Sequence, residues 1–206
     1  MRTLRILTLI TIVVLGFASC DENNEPILIP VESNQVTNLH APQTTDYTTN
    51  PPTNSGDFVK FDFSAGETTM SDTDWDIAFR GTTILVNGGS SAGISDEPQR
   101  TGNAGAYIEN SIFSEFNQVD ETYFNQDSSN GLAIATGSGN GWYNYANFTI
   151  TPIAGKVLVI RTADNRFAKI EILSYYKDFD NTDSSNSRYY TFNYVYQPNE
   201  NETSFE

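Results

Sequence analysis

The chain has 206 residues, 38% of them hydrophobic and 13% aromatic, which supplies one core and excludes disorder over the whole length. Its formal charge is −15. Such a surface repels polyanions, and no basic stripe offsets it, so nucleic-acid binding is excluded as a function class.

The first element is "MRTLRILTLITIVVLGFASC". Arg2 and Arg5 precede an apolar run from Ile6 to Phe17, and the small residues Ala18 and Ser19 precede Cys20. This order predicts an export signal over 1–19. The run is too short to read as a membrane span. Cys20 is the only cysteine, so no intrachain disulfide can form. Its setting resembles a bacterial lipobox, with Phe17 in place of the usual Leu. The expectation is a lipidated Cys20 that ties the chain to a membrane, with an ordinary cleaved signal as the alternative.

Residues 20–57 read as a linker behind that cysteine. Pro26, Pro30, Pro42, Pro51 and Pro52 lie among Thr and Asn with little periodicity, which predicts an extended tether. "PILIPV" is a candidate edge strand or partner contact, and the single histidine, His40, is expected to be solvated there.

Residues 58–206 read as a single antiparallel all-β domain. "FVKFDF" places Val59, Phe61 and Phe63 on one face. "TDWDIAFRG" places Trp75, Ile77 and Phe79 on one face and Asp74, Asp76, Ala78 and Arg80 on the other. "TTILVNGG" is a short strand ended by glycines. "NSIFSEFNQVDETYF", 110–124, carries the best helix signal, with Ser111 as a cap. "KVLVIRTADNRFAKIEILSYY" predicts a hairpin turning at Asp164 and Asn165, with Ala168, Ile170 and Ile172 inward. "RYYTFNYVYQ" places Tyr190, Phe192, Tyr194 and Tyr196 on one buried face.

Chemistry-bearing patterns are few. One histidine in the tail and one cysteine expected to be acylated support neither a nucleophilic triad nor a zinc site, and the expectation is a protein that is not an enzyme. Asp74 and Asp76 are a carboxylate pair of the kind a glycosidase uses. Asp178, Asp180 and Asp183 crowd one loop, but Thr182, Asp183 and Tyr189 break the EF-hand pattern. "TGSGNGW" has no Lys and opens no helix, so it is a glycine-rich loop, not a phosphate loop. The stretch that follows, "NGWYNYANFTI", concentrates aromatics. Alternation places Trp142, Asn144, Ala146 and Phe148 on one face and Tyr143, Tyr145 and Asn147 on the other.

Taken in order, "TDWDIAFRGTTILVNGG", "NGW" with its aromatic strand, "VLVIRTADNRFAKIEILSYY" and "YYTFNYVY" resemble the HmuY-like family of exported, lipid-anchored haem-binding proteins of Bacteroidetes. The resemblance covers about 58–196. It implies an outer-membrane lipoprotein, exposed at the cell surface, that takes up haem and passes it to an outer-membrane receptor. "DENNE" after Cys20 resembles a surface-export signal of such lipoproteins, or is a plain solvated tether. The family's bis-His ligation implies one axial ligand near Ala146 or Asn147, and neither side chain can serve; Ser90 to Gly139 contains no His or Met. Tyr143 and Tyr145, beside Trp142, are the local candidates for the ligand site. The alternative is a surface-binding module for a glycan or a protein partner on the same fold.

Overall fold

The computed structural model describes residues 27–206. The expected export signal and the expected lipidation site, Cys20, lie outside the described residues. In chain order the strands are β1 (Glu32–His40), β2 (Thr44–Asp46), β3 (Thr53–Ser55), β4 (Val59–Asp62), β5 (Glu67–Thr69), β6 (Ile77–Arg80), β7 (Thr83–Val86), β8 (Gly105–Asn110), β9 (Tyr143–Ala146), β10 (Thr149–Pro152), β11 (Lys156–Arg161), β12 (Phe167–Tyr176) and β13 (Ser187–Gln197). The only helices among the described residues are three short 3₁₀ segments.

Two antiparallel sheets face each other. The larger runs β1-β13-β12-β11-β8, the smaller β5-β4-β6-β7. Their inner faces share one core. Phe61, Phe63, Ile77, Phe79, Ile84 and Val86 come from the smaller sheet. Leu158, Ile160, Ala168, Ile170, Tyr190, Phe192 and Tyr194 come from the larger. The alternation expected for β12 and β13 is the alternation observed, because one face of each strand is fully enclosed. Ring edges meet ring faces through the stack: Phe61 lies 5.6 Å from Phe192 and 5.8 Å from Tyr194, both edge-on.

The outer face of the larger sheet is covered too. Tyr107, Val119, Val157, Val159, Phe167, Val195 and Phe205 form a second cluster, against which Phe113, Phe116 and Phe124 pack. This is where the predicted helix over 110–124 went. The segment makes one turn, with Phe116 N bonding Ile112 O, and a 3₁₀ turn at Glu121–Tyr123, and otherwise lies extended over the sheet. Its aromatics bury better spread across a flat sheet than stacked on one helical stripe.

The linker over 20–57 is corrected from Glu32 onward. β1 pairs with β13 from Glu32↔Tyr196 to His40↔Tyr189, with a bulge between Val36 and Leu39. Leu39 and Ala41 enter the main core. Pairing with the exposed edge of β13 supplies backbone hydrogen bonds that composition alone does not reveal. "PILIPV" is not a strand at its start: Ile27, Leu28 and Ile29 are exposed, held by Asn199 at the Ile29 N–H (2.9 Å) and C=O (2.7 Å). The β11–β12 turn is also longer than expected. Thr162 N bonds Arg166 O at 2.8 Å, leaving Ala163, Asp164 and Asn165 as a three-residue loop with Asn165 at φ 67°.

Candidate functional site

"NGWYNYANFTI" folds as a separate two-stranded ribbon, β9 with β10, in register Thr149↔Ala146 to Pro152↔Tyr143. Its two turn residues, Asn147 (φ 50°) and Phe148 (φ 62°), take the left-handed conformation that a tight hairpin requires. Burial therefore follows the length of the ribbon and not its faces. Gly141, Trp142 and Tyr143 are buried at the base, and Asn144 to Phe148 project into solvent. The alternation expected over 142–148 is corrected on this point: of those residues only Trp142 and Tyr143 meet the core, while on the opposite strand Ile150 packs against it and donates its N–H to the Tyr176 hydroxyl at 2.9 Å. Phe148 is 93% exposed at the tip.

The base is fixed by close approach. A side chain at Gly141 would overlap the carbonyl of Ala135, so the glycine-rich loop folds back against its own start. Trp142 packs on Tyr143, Tyr175 and Tyr190 at centroid distances of 4.9, 5.9 and 5.3 Å and donates its indole N–H to Thr82 O at 3.1 Å. The Thr82 hydroxyl donates to the Tyr143 phenol oxygen at 3.3 Å. Of the three aromatic residues singled out, Trp142 and Tyr143 are thus anchors inside the core. Only Tyr145 offers its ring to a ligand: it is 52% exposed, with its N–H held by Ser138 Oγ at 2.7 Å.

The same Thr82 opens onto a groove of about 640 Å³ between the outer face of the smaller sheet and the loops 92–95 and 128–136. Arg80, on the face opposite Ile77 and Phe79 as expected, lies at its wall and is only 2% exposed. The face assignment for "TDWDIAFRG" is also corrected at its start. Trp75 packs with Phe58, Ala78 and Leu85 outside the main core, opposite Ile77 and Phe79. The strand begins only at Ile77, so the residues before it do not continue its alternation.

Asp76 is buried for the same reason. Its two carboxylate oxygens accept the Phe63 N–H (2.9 Å) and the Ala163 N–H (2.7 Å), joining the smaller sheet to the β11–β12 loop. Burial pushes its pKa up to about 7, against the two hydrogen bonds that pull it down. Asp74, its candidate catalytic partner, is exposed and accepts hydrogen bonds from the Ser71 and Thr73 hydroxyls. One carboxylate is a structural acceptor and the other a local turn cap. Asp180 and Asp183 likewise cap their own loop, through Thr182 and Ser185. His40 is not in a tail: it ends β1, exposed, and stacks on Tyr189 at 4.3 Å.

The class defined by these features is an all-β sandwich with surface grooves at its loop ends. Residues 54–194 match the family model described as HmuY protein, and the chain belongs to the HmuY family. The chain is similar to the apo HmuY analogue of Tannerella forsythia, with 14% identity over 84% of this chain and 99% of that one, TM-score 0.47. A candidate lipoprotein of Bacteroides fragilis is 15% identical over 82% and 90%, TM-score 0.46. A candidate HmuY-like haem-binding protein of Bacteroides vulgatus is 14% identical over 82% and 93%, TM-score 0.46. No curated protein matches the chain.

Proposed function

We propose that this chain is a ligand-capturing lipoprotein of the cell envelope, anchored through Cys20, with haem as its cargo and an outer-membrane receptor as the acceptor. Membership of the HmuY family supports the binding role. The observation that carries the haem reading locally is the half-exposed ring of Tyr145 on the β9–β10 ribbon, the one aromatic of the stretch with a phenol outside the core. A tyrosinate can hold haem iron where histidine is lacking. The test is a haemin titration of the chain lacking residues 1–19, beside Tyr145→Phe. A saturable Soret change that Tyr145→Phe shifts or weakens supports the reading. No change above that of an unrelated acidic protein sinks it. Metabolic labelling with a lipid precursor, lost in Cys20→Ala, tests the anchor.

A second reading, capture of a non-haem ligand, is favoured by one observation. Trp142 and Tyr143 are already committed to the core and to Thr82, so the ribbon offers a porphyrin only Tyr145 and the tip residue Phe148, and no aromatic wall.

A further inference from the structure

Arg80 is the buried cation whose partners do not add up. Its Nη1 takes both hydrogen bonds that the guanidinium makes, donating to Gly56 O (3.0 Å) and Ser95 O (2.6 Å). Its carbon lies 4.2 Å from the centre of the Phe58 ring. Its Nε is the single buried side-chain nitrogen or oxygen without a partner among the described residues. None of the ion pairs among the described residues includes it.

The neighbouring acids are engaged elsewhere. Asp96 accepts the Gly56 N–H at 2.8 Å. Glu97 accepts from Ser91, from the Ala92 and Gly93 N–H groups, and from Arg100. Other buried cations in this fold are satisfied: Arg100 pairs with Asp127 and Glu97, and Lys169 donates to Phe113 O, Phe116 O and Asn117 Oδ1. A buried guanidinium with one idle edge costs stability unless something uses that edge. Burial lowers its pKa from the arginine value, while Asp96 and Glu97 only partly oppose this from a distance.

The groove beside it is lined by hydroxyls and amides, including Thr53, Asn54, Thr82, Ser129, Asn130 and Thr136. We propose that this groove binds a polyhydroxylated organic acid, of the uronic-acid class, with its carboxylate on the Nε–Nη2 edge of Arg80 and its hydroxyls on the Thr, Ser and Asn rim. The planar fork matches a carboxylate in two parallel hydrogen bonds, which a point charge cannot do. Nε is closed to solvent, so the ligand's carboxylate reaches it only if the guanidinium turns toward the groove on binding. The lining is mainly hydroxyls and amides with Ala92, Ile94 and Leu132 among them, which suits a sugar ring: its hydroxyls replace the water on the polar side chains and its C–H face lies on the apolar ones.

The inference goes beyond the haem reading and does not rest on it. The experiment is calorimetric titration of the chain lacking residues 1–19 with D-glucuronate, D-glucose and sulfate, in the absence of haemin. Arginine side-chain N–H resonances are followed in parallel by NMR. Glucuronate should saturate and move the Arg80 Nε–H resonance, and glucose and sulfate should do neither. Arg80→Lys should lower glucuronate affinity roughly tenfold or more, the loss of one charge-assisted hydrogen bond. Should Arg80→Lys fail to fold, the rim variants Asn130→Ala and Thr136→Val, both at exposed positions, decide: they should weaken glucuronate binding without shifting the thermal midpoint. No saturation by glucuronate, equal binding of glucose, or equal binding of sulfate overturns the assignment. A failed haemin titration leaves it standing.

Discussion

The indole of Trp142 and the main-chain carbonyl of Thr82 meet at 3.1 Å, sixty residues apart in the chain. This bond ties the base of the β9–β10 ribbon to the β6–β7 turn. It also places the ribbon beside the Arg80 groove, which Thr82 lines. Trp142→Phe keeps most of the packing on Tyr175 and Tyr190 but orphans the Thr82 carbonyl. The expected cost is about 1–3 kcal/mol in chemical denaturation. Trp142→Ala, which also opens a cavity, should cost about 3–5 kcal/mol.

Asp76 gives stability a definite pH dependence. Its folded pKa, about 7, lies above its ordinary 3.8. Between those values the folded state holds a proton that the unfolded state has released. Stability from this group is therefore full below the lower value and falls as pH rises to the upper one. Asp76→Asn removes the titration, so the denaturation midpoint of the native chain should decline relative to the variant from pH ~4 to ~7 and run parallel above. The variant should still be less stable, because its amide NH₂ faces one of the two N–H groups that the carboxylate accepted. Glu97 acts in the opposite direction. Burial alone would raise its pKa, but hydrogen bonds from Ser91, Arg100 and Ala92 hold it at about 2, so its contribution is lost as pH falls from 4.5 through that value.

Asp127 joins three segments. Its Oδ2 accepts the Val86 N–H at 3.0 Å and Arg100 Nη2 at 2.9 Å, and its Oδ1 accepts the Ala133 N–H at 2.9 Å. The carboxylate side chain is fully buried, and Arg100 nearly so. Asp127→Asn breaks a buried pair from one side and should destabilise by about 3–5 kcal/mol. Urea denaturation with unchanged slope is the readout.

A chain beginning at Phe58 should not fold as the chain beginning at Ile27 does. It lacks β1, so β13 is left an open edge and Leu39 and Ala41 leave the core. Truncating Leu39 alone, as Leu39→Ala, should cost about 2–5 kcal/mol. Circular dichroism on heating should show a cooperative transition for the longer chain and a broad or absent one for the shorter.

The strands that close the core were readable because period-two patterns such as Tyr190, Phe192, Tyr194 and Tyr196 have only one way to be buried. β1 was not readable. Its sequence, "ESNQVTNLH", is nearly all polar because an edge strand buries little beyond Leu39 and gains its order from the backbone of β13. The site was half readable. The cluster "WYNY" marks the ribbon, but nothing in its spacing says that burial stops after Tyr143, since that depends on where the ribbon leaves the sandwich. Arg80 was hidden by its own alternation. Its partner face is covered by loops 92–95 and 128–136, whose positions no local pattern records. Its nearest sequence signal is an arginine within an otherwise apolar strand, "IAFR".

The early start of β1 also fixes distance. Were residues 20–57 a free tether, an anchor at Cys20 would let the domain range over about 130 Å of extended chain before Phe58. With pairing begun at Glu32, only eleven residues intervene, a reach of at most about 40 Å. An anchor at Cys20 would make the domain a docked platform and not a roaming scavenger: cargo would come to it at the bilayer, and an acceptor would sit in the same patch of membrane.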